Sequence, residues 1–421
     1  MVKRIPSTND QGSKWPTGSF GNLGHWDPGL LCCAFVLVLV SIIWADRVET
    51  FDARSFQGQV LLVDDKSVAL KEADRTRTLS KAEVAEIVLG EEGDLMTRPG
   101  QQVLVTVCGD RLAAADLAAA DGRIQFANPM LGRVAVEFGS AAMVYLTDSR
   151  ATPAQIERKF GELRLSGAAG DVMVIAKKDD AWLNVEGVLK TIASDSVTFF
   201  WNQREGKVER KLVPVVRLSS PSASRPVSAG AITGVCGSTL SFTSLKVAGD
   251  EIAADNPILG AVKLHRAAVA AVRFVSGNVV ELAALKPQAV REHGMMDKTF
   301  PHRLNRSVGG GELLLGGRSF RSGLGLHSFC ELTWKLDGEY SAFAAVVGID
   351  DAVRPLGSAA VVFLGDGREL TGPVQVSGKD APATVRLDLK GVKEFTIRVD
   401  LGPDKLDVAD HVDVAAPRLI K

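Results

Sequence analysis

The sequence predicts a mostly β protein, in which two copies of a small β-sheet or barrel-like unit precede a C-terminal β-sandwich. Three observations indicate this class. Short runs of β-forming residues alternate with Gly and Asp turns along most of the chain. One series of motifs occurs twice at a nearly constant spacing. The last quarter of the chain holds a separate series of alternating strands.

The bulk composition limits the classes of function. The chain has 421 residues, of which 46% are apolar, and its 49 basic and 50 acidic residues give a formal net charge of −1. A chain of this length accommodates roughly two to four domains of ~100–200 residues each. A nucleic-acid-binding protein would show a basic face or stripe, so the charge balance argues against a nucleic-acid partner.

The N-terminus differs from the rest of the chain. A polar lead that contains Lys3, Arg4 and Lys14 precedes an uncharged, apolar run at residues 29–45. This arrangement predicts export through a cleaved signal peptide or an uncleaved anchor, so that residues 1–45 contact the membrane. The alternative is a buried segment of a cytosolic protein. We expect a periplasmic, cell-surface or secreted location.

Two stretches of the chain repeat each other. GQVLLVDDKSVAL begins at residue 58 and GVLKTIASDSVTF at residue 187, an offset of 187 − 58 = 129. VCGDRL and NPMLG recur as VCGSTL and NPILG, and Cys108 and Cys236 differ by 236 − 108 = 128. An ordered series of matches indicates a duplication. The two copies are predicted to span residues 46–148 and 171–276.

Two connectors separate these predicted domains. The connector at 149–170 contains TPAQIERKFGEL, which predicts a short helix with Thr152 as N-cap and Pro153 at the first helical position. The connector at 277–304 is predicted to be a linker.

The sequence contains no recognisable catalytic motif. The Gly-rich stretch SVGGGELLLGG lacks the Lys and helix of a phosphate-binding loop, and neither HExxH nor GxSxG occurs. Asp110 of the first copy is replaced by Ser238 in the second, which argues against a catalytic carboxylate in the repeats. The odd set Cys108, Cys236 and Cys330 is no disulfide framework, and free thiols or one Cys108–Cys236 bridge are the alternatives. We therefore predict that the protein is not an enzyme.

Residues 305–421 show the pattern of a β-sandwich. VVFLGDGREL predicts a hairpin with Asp366 and Gly367 at its tip, and FTIRVDL alternates apolar and polar residues as a half-exposed strand does. The number of such strands is typical of a sandwich domain.

Four motifs of this segment resemble the NPCBM family of carbohydrate-binding modules, which is also described with glycosyl hydrolase family 98. They are FRSGLGLHS, YSAFAAVVGIDD, VVFLGDGREL and DHVDVAAPRL. The resemblance implies a jelly-roll-like sandwich and a sugar-binding role in an exported, multidomain protein. In the family the last motif usually begins Asp-His-Ala-Asp-Trp, and Val414 occupies the position of that Trp here. Because an aromatic face is a common platform for a sugar, this replacement favours a module that no longer binds one.

The candidate binding residues are polar groups of the predicted loops, since the strands between them are apolar and committed to the core. His327 is either a structural, hydrogen-bonded residue or a ligand contact. Asp350 and Asp351 are also candidates for a structural Ca²⁺ site, with turn capping as the alternative, and no other cofactor is expected. The carbohydrate-binding candidates are His327, Asp350, Asp351, Arg354, Asp410, His411 and Asp413.

The predicted function is that of an exported, non-catalytic protein whose C-terminal module binds a glycan or a glycosylated surface. The alternative is a structural or protein-interaction scaffold that contacts envelope proteins and whose module no longer binds sugar. A less favoured hypothesis is that the module is accessory to a glycosidase.

Overall fold

The structure is a computed structural model that describes residues 46–146, 151–162, 170–177, 181–219, 227–295 and 298–421. The predicted signal or anchor run at 29–45 lies outside the described residues. Among the residues that are described, no helix combines the length and the apolar character that a membrane crossing requires.

The first copy consists of two antiparallel units, 1A and 1B, with the same five-strand plan. Unit 1A contains β1 (Asp46–Thr50), β2 (Ser55–Val63), β3 (Ser67–Lys71), β4 (Thr76–Ser80), a 3₁₀ turn (Lys81–Glu83) and β5 (Val84–Val88). Unit 1B contains β6 (Val103–Thr106), β7 (Arg111–Ala113), β8 (Ala115–Ala120), β9 (Arg123–Asn128), β10 (Gly132–Glu137), a 3₁₀ turn (Phe138–Ser140) and β11 (Ala141–Tyr145). Strands β7 and β8 together take the place of the long β2, interrupted at Ala114.

The second copy has the same elements in the same order. Unit 2A contains β12 (Asp171–Ala176), β13 (Trp182–Ile192), β14 (Ser196–Trp201), β15 (Arg204–Glu209), a 3₁₀ turn (Arg210–Leu212) and β16 (Val215–Arg217). Unit 2B contains β17 (Gly230–Gly234), β18 (Thr239–Phe242), β19 (Ser244–Ala248), β20 (Glu251–Asn256), β21 (Gly260–His265), a 3₁₀ turn (Arg266–Ala268) and β22 (Val269–Phe274). Cys108 and Cys236 both lie in the turn that follows the first strand of a B unit.

One helix, α1 (Pro153–Glu162), lies between the copies. Its N-terminus is closed by a reciprocal capping box. Thr152 Oγ1 accepts a hydrogen bond from the Gln155 N–H (3.2 Å), and Gln155 Oε1 accepts one from the Thr152 N–H (2.9 Å). The predicted N-cap and first helical residue are therefore the observed ones, and the buried Ile156 anchors the helix in a small apolar cluster with Tyr145.

The two copies interlock about an approximate two-fold axis. Unit 1A pairs with unit 2B through β5–β22 and β2–β19, and unit 2A pairs with unit 1B through β16–β11 and β13–β8. The strand registers at these two contacts are equivalent. Val88 pairs with Ala271, and Arg217 pairs with Met143. Arg217 corresponds to Val88 (88 + 129 = 217), and Met143 corresponds to Ala271 (271 − 128 = 143). This exchange pairs strand edges that a single copy would expose, and one continuous apolar core runs through both copies.

A buried polar cluster joins units 1B and 2B near this axis. The Asp110 carboxylate accepts hydrogen bonds from the Ser241 N–H (2.6 Å) and from Asn256 Nδ2 (2.9 Å). Ser238 is the equivalent residue of the second copy. Its Oγ accepts hydrogen bonds from the Ala113 N–H and from Asn128 Nδ2 of the first copy, each at 3.0 Å. Asp and Ser can replace one another here because only an acceptor oxygen is needed. The carboxylate thus has a structural role.

The C-terminal part is a sandwich of two antiparallel sheets, as predicted. The first sheet contains β23 (Val279–Glu281), β25 (Arg303–Leu304), β28 (Gly323–Leu326), β30 (Ala342–Ile349), β34 (Ala383–Asp388) and β36 (Val412–Ile420). The second contains β24 (Ala289–Glu292), β29 (Cys330–Lys335), β31 (Ser358–Gly365), β32 (Arg368–Glu369), β33 (Val374–Ser377) and β35 (Glu394–Leu401). A separate hairpin joins β26 (Leu313–Leu315) and β27 (Arg318–Phe320). The two sheets enclose an apolar core around Trp334, Phe343 and Phe363.

The hairpin between β31 and β32 matches its sequence signal. Asp366 and Gly367 form the tip, with φ angles of 49° and 77°. Positive φ at both central residues is what a type I′ turn requires.

The sandwich begins earlier than the sequence indicated. Strands β23, β24 and β25 all lie in the predicted linker at 277–304, and β23 and β24 pair with β36 and β29. Trp334 Nε1 also donates a hydrogen bond to the Leu285 carbonyl (3.0 Å). The linker prediction is therefore wrong. The sequence did not reveal these strands because they are short and carry charged residues, so they show little alternation of apolar and polar residues.

The sandwich contacts unit 1A through arginine side chains. Arg318 forms ion pairs with Glu49 and with Glu86, the latter at 3.9 Å. Arg386 Nε donates to the Asp52 carbonyl (2.5 Å), and the Arg418 guanidinium lies 5.8 Å from the Phe51 ring centroid. A fourth arginine of the sandwich, Arg321, pairs with Glu92 in the segment after β5. Positive groups of the sandwich thus meet acceptors of the first copy.

We expect Arg318→Glu to loosen the sandwich from unit 1A. The new carboxylate faces Glu49 and Glu86, so an attraction becomes a like-charge repulsion costing about 2 kcal/mol. Hydrogen–deuterium exchange should rise in β1, β5 and β27, and denaturation should begin earlier. The exposed Arg368, which is on the same sandwich, provides the control Arg368→Glu. If Arg318→Glu leaves hydrogen–deuterium exchange unchanged, the ion pairs of Arg318 do not hold the sandwich and unit 1A together.

Candidate functional site

Three loops of the sandwich meet at one end, which we call the loop end. The loop after β28 begins at His327, the loop after β30 at Asp350, and the loop before β36 ends at His411. Because Val412 pairs with both Leu326 and Ile349, these loops are neighbours. All seven candidate residues predicted from the sequence lie in these loops or in the first residues of β36.

His327 is buried, with 2% of its surface exposed. Its ring stacks on Phe300, with centroids 4.1 Å apart and planes 19° apart, and it lies 5.8 Å from the His411 ring. Its Nδ1 is 3.4 Å from the Ser328 carbonyl oxygen. Burial lowers the pKa of His327 below its ordinary value, which favours the neutral ring. This geometry fits the structural alternative for this residue.

Asp410 is fully buried and joins two of the loops. Its carboxylate accepts hydrogen bonds from Ser328 Oγ and from the Ser358 N–H (2.9 Å). Burial raises the pKa of Asp410 to about 6, against the opposing effect of these hydrogen bonds. Asp410 therefore positions the loops that carry its neighbour His411, and its carboxylate is not accessible to a ligand.

Asp350 and Asp413 form a buried pair of carboxyl groups behind the loops. Asp350 Oδ1 accepts a hydrogen bond from the Ala352 N–H (2.8 Å), whereas neither carboxylate oxygen of Asp413 receives a donor from the described residues. Burial first, and then the adjacent Asp350, raise the pKa of Asp413 to about 9. Two carboxyl groups can share a hydrogen bond only when one holds a proton, so the Asp350–Asp413 pair holds one proton at neutral pH.

Asp351 and Arg354 lie on a half-buried wall of the loop end. The Asp351 carboxylate accepts hydrogen bonds from the Gly316 and Gly317 N–H groups at 3.0 and 2.6 Å, and it pairs with Arg354 Nη1 at 3.4 Å. The carboxylate thus holds the turn of the β26–β27 hairpin. Of the seven candidates, these two and His411 remain accessible to a ligand.

Several residues of the loop end were missed by the sequence reasoning. Phe300 stacks on His327, and Lys298 Nζ lies 4.7 Å from the Phe300 ring centroid. Both belong to the segment assigned as a linker, where a lone aromatic between His293 and His302 was the only signal. A rim of exposed aliphatic side chains also occurs on the two longer loops, formed by Leu356, Leu406 and Val408 with 59%, 52% and 60% of their surface exposed.

Val414 lies in the core of the sandwich and is fully buried. A larger residue at this position would point between the two sheets. The replacement of Trp by Val therefore changes core packing, and it removes no exposed platform for a sugar. The argument against sugar binding that was drawn from this position does not hold in the structure.

The described residues include no group of three or more His, Cys, Asp or Glu side chains arranged to hold a metal ion. The three cysteines that the structure describes are free thiols, so the Cys108–Cys236 bridge is not formed. Cys330 is buried, and the other two are half-buried.

The C-terminal part is thus a two-sheet antiparallel β-sandwich with polar loops gathered at one end. Residues 279–420 match the family model of the NPCBM/NEW2 domain, and this part of the chain is a member of that family. The family predicted from four sequence motifs is therefore confirmed, and the match begins at the same residue as β23.

Comparisons with known proteins give partial matches. The Renibacterium salmoninarum protein named "Putative endo-alpha-N-acetylgalactosaminidase" is 38% identical over 91 residues, which are 21% of this chain and 6% of that protein. The CBM51 of Clostridium perfringens GH95, solved with methyl-galactose, is 20% identical with a TM-score of 0.30, covering 34% of this chain and 99% of that one. The tandem CBM51 modules of a Streptococcus pneumoniae family 98 glycoside hydrolase are 11% identical with a TM-score of 0.29, covering 89% of this chain and 87% of that one.

Proposed function

We propose that the chain is an exported, non-catalytic protein whose NPCBM/NEW2 domain binds a saccharide at the loop end. The observation that carries the proposal is the ring cluster of Phe300, His327 and His411 at the loop end of a domain of this family. Export is part of the proposal and rests on the charged lead and apolar run of the first 45 residues.

The half-exposed His411 is the central contact of the proposed site. Burial lowers its pKa, so its imidazole is neutral at neutral pH and offers one donor and one acceptor to sugar hydroxyls. Lys298 and the Asp351–Arg354 pair provide further polar groups at the loop end. The buried His327 packs against Phe300 and His411, and the buried Asp410 fixes the chain next to His411. A half-exposed site of this kind gives weak binding, with a Kd on the order of 1 mM, or about −4 kcal/mol.

We expect His411→Ala to abolish saccharide binding while the sandwich stays folded. Saturation-transfer NMR on the chain from residue 46 onward would use galactose, N-acetylglucosamine, glucose and mannose oligosaccharides as probes. The imidazole is half-buried, and its loss removes a donor and an acceptor from the ligand, so the signal should fall about tenfold or more.

The matched control is His265→Ala, which removes an exposed histidine from unit 2B. This variant should bind like the parent chain. A parent chain that shows no transfer at tens of millimolar of any probe would contradict the proposal, as would equal binding by both variants.

A second function, that of an interaction scaffold, is supported by a specific observation. Four of the seven candidate side chains are buried, and those of Asp350 and Asp410 hold main-chain N–H groups of the sandwich itself. A module used only for protein contacts needs no accessible polar site. The same titration distinguishes the two functions, because a scaffold would give no saccharide signal and would bind envelope proteins instead.

A further inference from the structure

Two clefts lie at equivalent places about the approximate two-fold axis of the repeats. The first, of about 490 Å³, lies between units 1A and 2B and is lined by Lys66, Lys81 and Phe274. The second, of about 310 Å³, lies between units 2A and 1B and is lined by Leu117 and Arg210 among others. Lys81 and Arg210 are equivalent, since 81 + 129 = 210.

The narrower cleft is closed by its own basic residue. Arg210 is buried, and its guanidinium donates to the carbonyl oxygens of Leu117 and Ala193 and to Gln102 Oε1, each at 2.8 Å. The bonds to Leu117 and Gln102 link Arg210 to the first copy and hold the two units together. The duplicated position therefore has a structural role in the second copy.

The wider cleft keeps its basic residue available. In the part of the chain that the structure describes, Lys81 Nζ makes one hydrogen bond, a long one of 3.5 Å to the Leu245 carbonyl, which is the counterpart of the Leu117 contact. The same ammonium lies 5.6 Å from the Phe274 ring centroid. An ammonium has three donors, so Lys81 retains donors for a ligand.

Lysines, aspartates and two phenylalanines that are each 9% exposed surround this cleft. The Lys66 and Ser67 N–H groups lower the pKa of Asp64, and the Lys81 ammonium lowers it further, so Lys81 has a carboxylate neighbour. Lys66 lines the cleft and is exposed, while Asp65, the acidic residue of the lining, lies 3.9 Å from Lys246 in an ion pair. Phe51 forms another part of the wall, and the Arg418 guanidinium of the sandwich lies 5.8 Å from its ring centroid. Two serines also line the cleft, Ser80 and Ser276, and Ser276 Oγ accepts a hydrogen bond from the Asn278 N–H (3.3 Å).

We propose that the cleft between units 1A and 2B binds a hexuronate, either free or as a residue of an acidic glycan. The carboxylate pairs with Lys81, and the pyranose face packs toward Phe274. Lys81 Nζ lies 5.6 Å from the Phe274 ring centroid, and a charge-assisted N–O distance is about 2.8 Å. A carboxylate that is bound to Lys81 therefore lies beside the Phe274 ring. The ring hydroxyls then face the two serine hydroxyls, which an apolar carboxylic acid would leave unused.

This site is separate from the loop end, so it does not depend on the proposed function. Its volume is within the range of about 300–1,000 Å³ that small-molecule sites show. Because the cleft is open and its main attraction is between charges, binding should weaken as ionic strength rises.

The experiment measures saturation transfer and chemical-shift changes for sodium D-glucuronate with the full-length chain, with D-glucose as the neutral probe. Lys81→Met removes the ammonium and should raise the Kd about tenfold or more. Lys81→Arg keeps the charge but lets the guanidinium close the cleft as Arg210 does, so it should also lose binding. If the positive charge at residue 81 had only a structural role, Lys81→Arg would keep that charge and would bind glucuronate like the parent chain.

Two control variants separate this site from others. Lys263→Met removes an exposed lysine from unit 2B, and His411→Ala alters the loop end; both should bind glucuronate like the parent chain. Equal binding of glucose and glucuronate by the His411→Ala chain, no glucuronate binding at tens of millimolar, or unchanged glucuronate binding in Lys81→Met would overturn the proposal. Tighter binding of triglutamate than of glucuronate would also overturn it, in favour of an acidic peptide.

Discussion

Replacing Asp413 by Asn is expected to stabilise the sandwich at neutral and alkaline pH, by roughly 3 kcal/mol at about pH 8. The Asp413 side chain is fully buried, and no N–H or O–H group of the described residues donates to it. Asn has nearly the same shape, stays neutral at all pH values, and offers an N–H donor to Asp350. The substitution therefore keeps the hydrogen bond that the protonated acid makes.

The sign of the pH dependence follows from the raised pKa. The pKa of Asp413 rises from 3.8 to about 9 on folding, because of burial and the adjacent Asp350. Between these two values the folded state holds a proton that the unfolded state has released. The free energy of unfolding therefore falls as pH rises from about 4 to about 9, and below about 4 the penalty is absent. Asp413→Asn should remove this part of the slope.

Urea unfolding at several pH values between about 5 and about 9 measures the effect. An exposed carboxylate of the same sandwich, changed by Asp388→Asn, provides the control and should leave the slope unchanged. A loss of stability in Asp413→Asn, together with stabilisation of the parent chain by millimolar Ca²⁺, would contradict the shared proton. That result would support the structural Ca²⁺ site for which Asp350 and Asp351 are sequence candidates, over the turn-capping alternative.

Replacing Asp110 by Ala is expected to destabilise the duplicated repeats by about 3 kcal/mol. The substitution leaves the Ser241 N–H and one N–H of the Asn256 amide without an acceptor between the two copies, while the Asn256 amide keeps its bond to the Ser241 carbonyl. An unsatisfied buried donor costs its full desolvation penalty. Because the copies share one core, unfolding should remain a single transition for both and shift to lower urea concentration.

Asp110→Ser tests the same idea with a smaller change. Serine is the residue at the equivalent position of the second copy, so it should recover part of the lost stability by supplying an acceptor oxygen. Asp250→Ala, in an exposed turn of unit 2B, should change stability by less than about 0.5 kcal/mol. An Asp110→Ala variant as stable as the parent would show that the polar cluster is not needed to join the copies.

Local sequence patterns predicted many elements correctly. Thr152 and Pro153 marked the start of α1, and Asp366 with Gly367 marked the β31–β32 turn, because caps and tight turns depend on residues that are adjacent in the chain. The repeated NPxLG motifs were visible for the same reason: the Asn side chain in each accepts from main-chain N–H groups of its own turn, such as those of Met130 and Leu131.

Predictions that needed distant contacts were less complete. Strand β23 was assigned to a linker, because its three residues become a strand only when β36, more than a hundred residues later, supplies the partner. The residues of the candidate site also differ in whether the local sequence could identify them. The sequence identified His411 and Asp351 as polar loop residues, but Phe300 reaches the site only through the packing of its segment against His327.

The sequence by itself determined that the chain is mostly β, that one unit occurs twice, and that an NPCBM domain follows, because these properties are written in local periodicity, turn residues and motif order. Only the tertiary structure decided that each copy exchanges strand pairs with the other, that Val414 lies in the core, and which candidate side chains reach solvent. The physical reason is that burial and pairing are properties of residues far apart in the chain, and no local pattern records which of them come together.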